Sequence, residues 1–204
     1  MCVRIEGQSG SGTFYIMCVC VCTEENVDRT IQKRLVGKEI QIRVWSREAS
    51  EYLDCNIPLS VFSEEEKKST SVQDRTNRVK ATSTQKRLSD LVQTYSKYET
   101  SKFEHTEKAH CVLLYLAASI LFDSRKTSSG LCITVRKDSD IPVGAGLGSS
   151  AALCVASSAA LLRITDEISV KCNDADLQLI NSWAFCGETL LHGTPSGVDN
   201  TVSK

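Results

Sequence analysis

Two acidic residues and one run of glycines and serines carry the chemistry open to this sequence. The run is Pro142-Val143-Gly144-Ala145-Gly146-Leu147-Gly148-Ser149-Ser150-Ala151-Ala152. Glycines let backbone N–H groups converge on one ligand, and a helix starting at the serines adds partial positive charge. That combination suits polyphosphate. The serine hydroxyls can hydrogen-bond phosphate oxygens, or one of them can ligate Mg²⁺. No Gly-Lys-Ser/Thr follows, so this is not a Walker loop, and Ser149 takes the third glycine position of the dinucleotide pattern. A flexible lead-in to a serine N-cap would use the same residue types. The length of the string argues against so plain a reading.

The first acid is Glu188. Leu177, Ile180, Ala184 and Glu188 fall on one stripe at helical spacing, so the carboxylate extends an apolar face. A buried carboxylate without a partner is costly, and Mg²⁺ is the natural partner in a phosphate site. A glutamate reaching solvent at a helix end is the plainer alternative. The second acid, Asp199, follows the turn His192-Gly193-Thr194-Pro195-Ser196-Gly197-Val198. There it could cap a turn, or accept the proton of an alcohol facing a γ-phosphate. Glu188 and His192 also have the i, i+4 spacing of two zinc ligands on one helix, but two ligands do not make a zinc site.

These residues need elements to hold them. Phe14 to Cys22 reads as one strand, and Gly37 to Trp45, with Ile40, Ile42 and Val44 alternating, as another. A weak helical period covers Leu88 to Tyr98 and a strong one Thr106 to Phe122, apolar on most faces like a central buried helix. Leu131 to Val135 is a β-branched run before the glycine loop, Ala151 to Arg163 a helix after it, and Asp174 to His192 a last helix that Gly193 and Pro195 stop. Interleaved strands and helices predict an α/β fold, a two-layer α+β sandwich. Residues 1–30 form a divergent N-terminal segment and 31–204 the folded domain, with a polar loop around 63–86.

Composition excludes several classes. With 24 basic and 25 acidic residues the net charge is −1, so no global field draws the chain to nucleic acid or anionic lipid. The charged stretch from Glu64 to Lys80 lacks base-stacking aromatics. Neither Phe14 to Cys22 nor Cys111 to Phe122 is long enough to span a bilayer. The ten cysteines form no C-x-x-C pair and lie mostly in apolar runs, so they read as reduced, buried thiols in a cytoplasmic protein.

The glycine string resembles, at every fixed position, the second signature of the kinase superfamily whose substrates are galactose, homoserine, mevalonate and phosphomevalonate. The longer string Asn181-x-Trp183-Ala184-Phe185-x-Gly187-Glu188-x-x-x-His192-Gly193-x-Pro195-Ser196-Gly197-Val198-Asp199-Asn200-x-Val202-Ser203 is similar to the mevalonate kinase family in particular. Thr194 stands where that family often has Asn. The resemblance covers roughly residues 37–204 and is strong from about 130 onward.

The resemblance implies ATP held by Pro142, Gly144, Ala145, Gly146, Leu147, Gly148, Ser149 and Ser150, Mg²⁺ held by Ser150 and Glu188, and Asp199 as the catalytic carboxylate facing the mevalonate hydroxyl. The implied reaction gives 5-phosphomevalonate for isoprenoid and sterol synthesis, on the superfamily's N-terminal domain fold. A homodimer is compatible with it. The family's opening Pro-Gly-Lys segment has no counterpart in residues 1–30, and its late glycine-rich loop and C-terminal domain lie outside this sequence. The expectation is therefore a truncated form, weakly active or inactive. The alternatives are a non-catalytic nucleotide-binding module or another small-molecule kinase of the superfamily.

Overall fold

The elements of the computed structural model are five strands and four α-helices among the described residues, which are 2–8, 14–23, 39–46, 48–62, 82–123, 131–137, 149–193 and 195. The strands are β1 (Cys2–Gln8), β2 (Phe14–Thr23), β3 (Glu39–Ser46), β4 (Glu51–Pro58) and β5 (Leu131–Lys137). The helices are α1 (Thr82–Tyr95), α2 (Glu104–Asp123), α3 (Ser149–Ile164) and α4 (Asp174–His192).

Alternation in the strands decides which side of the sheet is covered. Register sets Ile57, Ile40 and Leu131 side by side, then Cys55, Ile42 and Ile133, then Leu53, Val44 and Val135. All nine are buried, as period-two patterning requires of a sheet packed on one face. On the opposite face Arg43 Nε lies 3.0 Å from Asp54 Oδ1. The same guanidinium stacks over Tyr52, whose ring meets Trp45 edge-on.

The sheet order is β1-β2-β5-β3-β4. β3 and β5 are parallel and the other neighbours antiparallel, so the chain leaves β3, makes β4, α1 and α2, and returns to the middle of the sheet. α1 packs on β4, α2 on β3, and α3 on β1 and β2, while α4 lies against α2 and α3. The central place expected for the second helix is the observed one: α2 is buried continuously from Val112 to Leu121.

Three differences from the sequence expectations have local causes. The segment 1–30, expected to supply one strand, supplies two, β1 and β2, and β2 pairs directly with β5. β4 was not expected at all. α1 begins at Thr82, inside the stretch 63–86 expected as polar loop. Its first turns are polar because only Leu88, Leu91, Val92 and Tyr95 turn inward, and Gln85 reaches the carbonyl of Leu190 on α4 at 3.4 Å. Residues 63–81 lie outside the described residues.

α4 has the limits its end signals predict. Asn173 and Asp176 form a reciprocal capping box, and Gly193 closes the helix at φ 76 with its N–H on the Thr189 carbonyl. No helix among the described residues is long and apolar enough to cross a membrane. The six cysteines with described side chains are free thiols, four of them buried.

Candidate functional site between α3 and α4

α3 and α4 run antiparallel along a close seam. Gly187 makes that approach workable: a Cβ there would come within 2.8 Å of Cys154 Sγ and 3.1 Å of Val112 Cγ2. Trp183, Ala184 and Cys186 of α4 and Ala151, Cys154 and Val155 of α3 are all buried.

Two i, i+4 pairs face each other across it. Ser150 and Cys154 stand one turn apart on α3, Glu188 and His192 one turn apart on α4. Ser150 Oγ lies 3.1 Å from His192 Nε2, and that nitrogen lies 3.8 Å from Glu188 Oε2. Deeper in, the Cys154 thiol donates to Glu188 Oε1 at 3.6 Å. Ser150 and Glu188, paired in the sequence reading, are therefore brought together with one shared neighbour, His192. Ser149 is the first residue of α3 and is half-buried.

Burial grades across the site. Cys154 is inaccessible, Glu188 is 5% exposed, and the His192 side chain is 54% exposed. The stripe Leu177, Ile180, Ala184 and Glu188 does face inward, with Leu177 at its outer end. Burial, reinforced by the neighbouring Glu188 carboxylate, holds the Cys154 thiol well above its ordinary pKa. It is a proton donor and not a thiolate ligand.

Pro142, Gly144, Ala145, Gly146, Leu147, Gly148 and Asp199 lie outside the described residues. What can be tested is whether Ser150 and Glu188 suit Mg²⁺. A hydroxyl and a largely buried carboxylate are hard oxygen donors, set on either side of the half-exposed His192, and Mg²⁺ takes few protein ligands, leaving the rest to phosphates and water. They fit. Among the described residues no three of His, Cys, Asp and Glu are grouped to hold a metal ion by themselves.

Sequence reasoning passed over Cys154, which reads as one more apolar position of α3. Its signal was the spacing of one turn from Ser150.

The family model of the GHMP kinases N terminal domain matches residues 110–203. Mevalonate kinase of Arabidopsis thaliana is 51% identical over 76 residues, 34% of this chain and 20% of that protein. Mevalonate kinase of Homo sapiens is 50% identical over 99 residues, 44% of this chain and 24% of that protein. The mevalonate kinase erg12 of Aspergillus fumigatus is 44% identical over 113 residues, 50% of this chain and 20% of that protein. The chain thus spans about a quarter or less of the length of these relatives. From His110 onward, through β5 and the α3–α4 seam, the chain is similar to the N-terminal domain of the GHMP kinases and to the mevalonate kinases.

Proposed function

We propose that this chain is part of a mevalonate kinase, with its nucleotide site at the start of α3 and the end of α4. The observation that carries the reading is the convergence of Ser150 and Glu188 on His192 Nε2, directly after a glycine string suited to polyphosphate. The identity to mevalonate kinases over this segment supports the choice of substrate.

In this reading Pro142, Gly144 to Gly148 and Ser149 cradle the phosphates of ATP, and Ser150 and Glu188 hold Mg²⁺. Mg²⁺ bound there would supply charge neutralisation to the phosphates. Asp199 takes the proton of the mevalonate primary hydroxyl as its oxygen bonds to the γ-phosphorus. The bond from that phosphorus to the bridging oxygen breaks, giving 5-phosphomevalonate and ADP. A water-excluding site and fixed donors are what make such transfers fast. The setting is the cytoplasm, early in isoprenoid and sterol synthesis; residues 31–204 form the kinase N-terminal domain, and the divergent segment 1–30 adds β1 and β2 to its sheet.

The test is calorimetric titration of the chain with Mg²⁺ and a non-hydrolysable ATP analogue. Saturable binding that weakens about tenfold or more in Ser150→Ala and in Glu188→Gln is expected, since each change removes a ligand of charge-assisted strength. Binding unaffected by both changes overturns the site. If the nucleotide binds but radiolabel from ATP never reaches mevalonate, the chain is a nucleotide-binding module.

A further inference from the structure

A carboxylate that ligates a cation through one oxygen must be kept from turning, and the seam supplies the means. Glu188 has different neighbours on its two oxygens: the Cys154 thiol on Oε1, and His192 Nε2 on Oε2 toward Ser150. We propose that Cys154 is a positioning residue for Glu188: its thiol fixes Oε1 inside the core and so presents Oε2, beside Ser150, to the cation of a bound nucleotide. This rests on the reading of Ser150 and Glu188 as cation ligands.

Three observations support it besides the contact. Cys154 is fully buried, so its S–H has no water to compete for the carboxylate. The seam is shaped around the sulfur, because any side chain at Gly187 would collide with it. The antiparallel pairing also sets Cys154 one turn below Ser150 and Glu188 one turn below His192, so the thiol reaches the carboxylate from the inner turn and the His192 ring from the outer one. A cysteine serving only as core filler would need no donor, and alanine or serine would replace it with equal effect on ligand binding.

The experiment uses the whole chain, with Cys154→Ala and Cys154→Ser. Raman spectroscopy of the S–H stretch reads the hydrogen bond directly: a lowered S–H band is expected in the wild type, lost in Cys154→Ala and raised in Glu188→Gln. Mn²⁺ is the probe cation, its binding with a non-hydrolysable ATP analogue followed by electron paramagnetic resonance, with a melting curve for each variant. Cys154→Ala should weaken Mn²⁺ about tenfold, the loss of one hydrogen bond to a charged group, while Cys154→Ser, which keeps a donor, stays within about twofold. An S–H band at its unbonded frequency overturns the proposal, and so does equal Mn²⁺ affinity in the Ala and Ser variants. A lowered band in a wild-type chain that binds no Mn²⁺ overturns the cation reading itself, and with it the purpose assigned to the thiol. Should Cys154→Ala not fold, the band in Glu188→Gln and the affinity of Cys154→Ser relative to wild type decide alone.

Discussion

Single side chains in this fold are set by what burial leaves them to bond with. His110 has no exposed surface; Tyr98 Oη and the Thr106 carbonyl lie 2.8 and 2.9 Å from Nδ1, and the Ile42 carbonyl lies 3.3 Å from Nε2. Desolvation holds its pKa below the ordinary 6.5, against the opposing pull of those carbonyls. The neutral ring is therefore the native one. Its contribution is whole above pH 6.5 and is lost as pH falls from there toward the folded pKa, by up to about 1.4 kcal/mol per pH unit. Urea unfolding at a series of pH values should give His110→Asn a flatter acid limb than the wild type. Identical slopes would show that the ring titrates freely in the fold. Glu188 and Ser150 were legible as residues because their types and spacing are unusual for a core stripe and a helix start. Their meeting through His192 was not legible, since it depends on how far α3 and α4 are offset along their seam.

At the scale of elements, that offset is governed by small residues. Gly187→Ala would add a methyl against Cys154 Sγ and Val112, inside a packed seam that has no room to give. We expect a loss of about 1 to 3 kcal/mol in thermal unfolding, and weaker Mn²⁺ binding with it, because the same clash moves the thiol off Glu188. A variant that melts like the wild type would mean the helices can part at little cost. The helices were the readable elements: α4 announces its end through Gly193, a signal that lies within one turn of where it acts. The strands were less so. β4 carries Glu51, Asp54, Asn56 and Pro58, poor strand formers that only the pairing with β3 makes tolerable, and β1 carries Arg4, Glu6 and Gly7. Sequence periodicity sees a strand's own composition and not the neighbour that completes it.

For the whole molecule, the sheet order puts β5 at the centre, with β2 on one side and β3 on the other. The α/β sandwich was legible from the interleaved patterns; the order was not, because nothing local says that residues 14–23 belong beside 131–137. Removing residues 1–30 would expose the β2-facing edge of β5 and uncover the part of α3 that rests on β1 and β2. Size-exclusion chromatography of such a deletion should show aggregates or loss of the cooperative melt. A monodisperse, cooperatively melting product would mean that the two N-terminal strands are dispensable. The same arrangement has a consequence in time. During synthesis β1, β2, β3 and β4 leave the ribosome well before the strand that must join the two hairpins, so each hairpin waits with an open edge until residue 137 has emerged. A newborn chain of this topology spends that interval as a client for whatever in the cell shields unpaired strands.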